Sequence, residues 1–268
     1  MQDLKHVIVF CTIVFAITYL LEFWLWLSGG LKAPFATVVL MGAMYIPLIS
    51  AVIVVKFIEH ESLRKYGISK GKLKYYIYSL IYPLAVIAIG LTFIVILGTT
   101  EIDFTLSMYS ARVIPIYFII INLALAPFIN FIPSLGEEYG WRGFLQQKLI
   151  EKYSLLKGLL LTGTIWGLWH APVILMGYNY PSHPNLIGVS AFTIWTILVG
   201  FFLGWLRIKS KSVFPGALGH GAINAYIGLG ALIAPALDEM LTVPFGLPGF
   251  FALFIIALLA YLDLTKTR

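Results

Sequence analysis

Six ionisable residues fall inside long apolar runs of this chain: Glu22, Glu137, Glu138, Arg142, His170 and His220, with the polar Asn224 close to the last. At bilayer depth each such group costs roughly 2.5–3.5 kcal/mol on insertion scales, so each marks either chemistry or a pairing that offsets the cost. They form three groups. In Glu137-Glu138-Tyr139-Gly140-Trp141-Arg142, helical spacing puts Glu138 and Arg142 on one face, where a carboxylate and a guanidinium pair, and turns Glu137 about 100° away. A buried ion pair pinning two helices accounts for Glu138 and Arg142 but not for a second, adjacent carboxylate. In Trp166-Gly167-Leu168-Trp169-His170, Trp166 and His170 share a face, with the indole as a wall beside the imidazole. In His220-Gly221-Ala222-Ile223-Asn224, His220 and Asn224 present two hydrogen-bonding groups to one point, among Gly216, Gly219 and Gly221, which let neighbouring backbones approach. Any one group could be packing glue. Three helices carrying such groups at compatible depths point to a shared site. Glu22 lies about one turn from the end of its apolar run, within reach of the interface; His6, His60 and His183 read as solvated.

The elements that must hold these groups follow from composition. Of 268 residues, 60% are hydrophobic and 11% charged, and the mean hydropathy is +0.93. Soluble domains carry about 25% charged residues. The expected fold is therefore all-α: a polytopic membrane protein, a bundle of about eight transmembrane helices around an intramembrane polar cavity, forming a single membrane domain over 1–268. The spans read as about 7–27, 35–57, 75–97, 112–135, 157–177, 186–206, 213–235 and 245–263. The fourth is expected to run on as helix toward Glu151 despite Pro127 and Pro133, since neighbours can satisfy the freed carbonyls. Continuous rather than alternating apolar runs exclude a β-barrel. The first run is too long for a signal peptide and ends in Trp24, Trp26 and Leu27, so it reads as a retained span. The lone Cys11 forms no intrachain disulfide and no thiolate cluster.

With the N-terminus inside, fifteen of the 18 Lys and Arg residues fall on the inner side, only Lys32 and Arg112 fall outside, and Arg142 stays within the membrane. This places both termini in the cytoplasm. The net charge of +6 thus meets anionic lipid headgroups rather than nucleic acid.

The order Glu-Glu-x-x-x-Arg, aromatic-x-x-x-His, His-x-x-x-Asn on membrane spans resembles the CPBP (CAAX proteases and bacteriocin-processing) family of intramembrane proteases, in particular its type II CAAX prenyl endopeptidases. The motifs cover about 137–224. The second motif of the family usually opens with Phe, whereas this chain has Trp166, a change expected to be conservative in role. The resemblance implies a glutamate-dependent endopeptidase acting near the C-terminus of prenylated, membrane-associated proteins. No cofactor is expected, because Asn224 is ill suited to bind zinc, and the depth of the site below the inner surface predicts a cavity open to the cytoplasm. Glu137 helped by His170 would activate water, His220 and Asn224 would stabilise the oxyanion, and Glu138, Arg142 and Trp166 would support them. Two other readings stay open: a zinc-dependent metalloprotease with Glu137, His170 and His220 as ligands, and a non-enzymatic transporter or membrane scaffold.

Overall fold

The computed structural model describes residues 2–103, 116–234 and 238–266. The first residues of the expected fourth span (112–115), Pro235 at the end of the seventh, Arg112 and Arg268 lie outside the described residues. Among the described residues there is no strand. The helices are α1 (Gln2–Leu27), α2 (Ala36–Ala43), α3 (Ile46–Ile53), α4 (Leu73–Leu97), α5 (Ile116–Glu138), α6 (Gln146–Lys152), α7 (Leu155–Trp169), α8 (Ala171–Leu175), α9 (Leu186–Ser210), α10 (Phe214–Ile233) and α11 (Leu247–Thr265). The chain is an integral, multi-pass membrane protein. Among the described residues, five helical stretches are long and apolar enough to cross a bilayer: Leu4–Leu27, Ala36–Ile58, Leu73–Leu97, Leu186–Ser210 and Leu247–Thr265. The other three expected spans, around α5, α7 and α10, are those that carry Glu137, Glu138, His170 and His220.

Local chemistry explains where helices break. Pro172 has no N–H for the carbonyl of Leu168 four residues earlier, and the expected span 157–177 stops at Trp169 and restarts at Ala171. The freed Leu168 oxygen accepts from the Tyr19 hydroxyl of α1 at 2.7 Å, and Trp169 Nε1 donates to Thr18 Oγ1 at 2.8 Å, so the break is where α1 docks. Pro127 leaves the Leu123 carbonyl in the same way, and Tyr226 of α10 donates to it at 3.3 Å. The expected span 35–57 is likewise two helices, broken at Met44 and Tyr45 ahead of Pro47.

From α5 the helix continues into α6, as the sequence reading has it, but through a π-helical segment over Tyr139–Leu145. One cause is visible at Gly140, where a Cβ would lie 2.5 Å from Pro47 Cβ. The wider turn brings the backbone onto α3, and π-bulges of this kind recur at functional sites.

The bundle has two chemically different ends. At one, His6 Nδ1–H donates to Glu59 Oε1 at 2.7 Å, and Lys148 Nζ reaches the same oxygen at 2.8 Å. Ser69 donates to the Lys211 carbonyl, Arg207 to Gln147, and Lys209 pairs with Asp263. These contacts gather the start of α1, the end of α11 and fourteen described Lys and Arg residues at this basic end. At the other end Asp103 meets Ile233, Ser182 meets Glu239, and His183 meets Asp238, so neither His6 nor His183 is merely solvated.

Candidate active site

The three motifs converge at one level of the bundle. α5 presents Glu137 and Glu138, the end of α7 presents Trp166 and His170, and α10 presents His220 and Asn224. The packing of α10 on α5 is set at Gly221, whose Cβ would lie 2.6 Å from the Pro127 carbonyl oxygen and 2.8 Å from Phe131 N. Only glycine permits that approach, and it carries the adjacent His220 to Glu138.

The two carboxylates have separate partners. Glu138 Oε1 accepts from Arg142 Nη1 at 2.8 Å and from His220 Nδ1–H at 3.0 Å, with both Glu138 and Arg142 wholly buried. The guanidinium lies over the indole of Trp166, 4.0 Å from the ring centroid, a cation–π contact made out of water. The indole Nε1–H then donates to Glu137 Oε2 at 2.7 Å. A continuous chain of contacts thus runs from His220 through Glu138, Arg142 and Trp166 to Glu137. The expectation that Trp166 is a conservative replacement for Phe is corrected here: a phenyl ring has no donor for Glu137. The Trp and Phe side chains share a flat apolar face, which is what the spacing reveals; the N–H acts only once α5 lies beside it.

His170 is oriented by its own helix. The tightened turn before Pro172 has His170 N bonded to the Gly167 carbonyl, and the ring takes the oxygen of Trp166 through Nδ1 at 2.9 Å. A carbonyl only accepts, so Nδ1 carries the proton and Nε2 holds a lone pair. Trp169 and Phe192 pack on the ring, with centroids 4.6 and 4.7 Å away.

Glu137, Trp166, His170, His220 and Asn224 line one cavity of about 410 Å³. Glu138 and Arg142 lie behind it. Asn130, Tyr178, Asn179 and Glu22 also line it, and none of these four is in the motifs. Glu22 does not reach the interface, as its chain position suggested; it is buried, 3% exposed, and faces the cavity. No local pattern signals this, because it depends on how α1 docks on the broken end of α7.

Other lining residues include Thr37, Leu40 and Met41 of α2, Val173 of α8, and Tyr178 and Asn179. Trp141, Arg142, Phe144 and Leu145, each 0–1% exposed, are packed in the interior.

A second hollow, apolar and about 1040 Å³, runs down the outside between α1 and α8, walled by Phe15, Tyr19, Leu20, Phe23, Trp26 and Leu175. Glu22 lines both hollows.

Metal-ligand geometry is formed elsewhere. Among the described residues, the group of three whose ligand atoms lie within 4.8 Å of one another is His183, Asp238 and Glu239, on the loops of the non-basic end. Glu137, His170 and His220 form no such group. Glu137 Oε2 and the Nδ1 atoms of both histidines are each engaged by protein partners.

Residues 112–226 match the family model described as type II CAAX prenyl endopeptidase Rce1-like. The chain is also similar to the CAAX prenyl protease 2 of Methanococcus maripaludis (strain S2 / LL), 27% identical over 226 residues, covering 78% of this chain and 79% of that relative. Both findings support the resemblance to the CPBP family carried by the three motifs.

Proposed function

Taking its likeness to the Rce1-like prenyl endopeptidases of the CPBP family as premise, we propose that this chain is an intramembrane endopeptidase that hydrolyses a peptide bond near the C-terminus of a lipidated, CAAX-type polypeptide. The observation that carries the reading is the Trp166–Glu137 hydrogen bond in a cavity shared with His170, His220 and Asn224. A donor-only indole fixes one oxygen of Glu137 and leaves Oε1 to take a proton from water, assisted by the lone pair on His170 Nε2. The water oxygen then bonds to the scissile carbonyl carbon. The oxyanion is met by the Asn224 amide and by His220 Nε2. With Nδ1–H given to Glu138, a hydrogen bond from Nε2 to the oxyanion uses the doubly protonated ring. Glu137 returns the proton to the leaving nitrogen as the C–N bond breaks.

In this reading the apolar hollow between α1 and α8 takes the lipid, because it adjoins the cavity at Glu22. Removing the lipid raises KM, since chain burial contributes about 0.8 kcal/mol per CH₂. The mechanism uses no metal. A farnesylated peptide ending in a CAAX box, incubated with the purified protein, should lose its last three residues by mass spectrometry; an intact peptide overturns the proposal. Stoichiometric zinc in the active protein, with activity lost on its removal and restored on its return, overturns the metal-free mechanism.

A further inference from the structure

The cavity has a carboxyl group that the proposed chemistry does not use. Glu22 is 3% exposed, and its Oε2 is buried with no hydrogen-bond partner among the described residues. The other carboxyl group and the histidines of the lining have partners: Glu137 has Trp166, His170 the Trp166 carbonyl, and His220 the Glu138 carboxylate. Among the described residues no lysine or arginine lines the cavity. Arg142 is tied to Glu138 under Trp166, behind the wall, and Lys32 is exposed. A buried carboxyl group with no protein partner is costly unless a ligand supplies one.

We infer that Glu22 binds a primary ammonium group of the polypeptide handled in this cavity. The inference rests on the protease reading for its source of cation. Hydrolysis of R–CO–NH–R′ by water gives R–COO⁻ and R′–NH₃⁺, so each turnover creates an ammonium inside a cavity where Glu22 is the carboxyl group the chemistry leaves unused. Glu22 lines the cavity in which that amine is released. It is a binding group for the released amine, separate from the proton transfers at Glu137. A lysine side chain of the substrate would offer the same chemistry, and the test separates the two.

Binding is measured by calorimetry on the full chain in lipid nanodiscs, with no turnover involved. The ligands are a tripeptide with a free N-terminal amine, its N-acetylated form, and an N-acetylated tripeptide bearing one lysine. The wild type should bind at least one amine-bearing ligand about tenfold or more tighter than the neutral acetylated form. Preference for the free N-terminus assigns the cation to the released fragment, and preference for the lysine peptide assigns it to a side chain. Glu22→Gln should abolish the preference and leave affinity for the neutral form unchanged, while Glu22→Asp keeps part of it. Equal binding of all three ligands by the wild type overturns the inference, whatever the fate of the variants. A protein that cleaves nothing yet shows the Glu22-dependent preference overturns the protease reading and leaves this one standing.

Discussion

The indole N–H of Trp166 donates to Glu137 Oε2 at 2.7 Å while the guanidinium of Arg142 lies 4.0 Å above the same ring. One side chain thus serves as donor to the carboxylate of the cavity and as the face on which the buried cation rests. The indole decides which oxygen of Glu137 is available to water, and Arg142 holds the indole in plane.

Trp166→Phe keeps the apolar face and removes only the donor. Glu137 then has a free choice of rotamer, so kcat should fall about ten- to a hundredfold, as expected for one charge-assisted hydrogen bond of about 1.5–3 kcal/mol. KM should change little. Steady-state kinetics on a lipidated peptide checks this, and unchanged kcat removes Trp166 from its positioning role.

Glu137→Gln and Glu138→Gln should differ in kind. Loss of the Glu137 base should lower kcat about 10²–10⁴-fold with the fold intact. Glu138→Gln leaves Arg142 buried without its counter-ion, and breaking such a pair costs about 3–5 kcal/mol. Thermal melting in detergent should therefore drop for Glu138→Gln and hold for Glu137→Gln. Equal melting temperatures for the two variants would contradict the assignment of Arg142 to Glu138.

Gly221→Ala tests the approach of α10 to α5. The new methyl meets backbone atoms of Pro127 and Phe131, which have no flexible end to move aside. Overpacking of this kind costs about 1–3 kcal/mol. Activity should fall by more than stability alone explains, because His220 is displaced from Glu138. A fully active, fully stable variant would show that the helices separate freely.

At the basic end, burial raises the Glu59 carboxyl, but hydrogen bonds from Lys148, Tyr66 and His6 and the Lys148 charge outweigh it, leaving Glu59 below the usual carboxylate range. A folded-state value below the unfolded one adds stability above the unfolded value, about 4.3. That stability is lost as pH falls through the folded value. The melting temperature of Glu59→Gln should lie below that of the wild type at pH 7, and the gap should close in acid below about pH 4. A gap independent of pH would mean that Glu59 contributes through packing alone.

Fourteen described Lys and Arg residues at one end and Lys32 at the other lead us to predict that the basic end lies in the cytoplasm. A cysteine label at Lys70 should react only from the cytoplasm and one at Glu101 only from outside. Labelling of Lys70 from outside alone would reverse the bundle.

What the sequence determined by itself is local and periodic. Apolar runs required a helical membrane protein, because lipid leaves no other way to satisfy the backbone over such lengths. The i to i+4 spacing paired Glu138 with Arg142, and the order of the three motifs identified the helices that meet. The tertiary structure decided everything that needs two segments at once. Trp166 became a donor only because α5 lies against α7, and Glu138 gained His220 only because Gly221 lets α10 approach. Glu22 entered the cavity through the docking of α1 on Leu168, the carbonyl left free by Pro172. The cavity itself followed from where side chains do not pack, and no periodicity in a sequence records that.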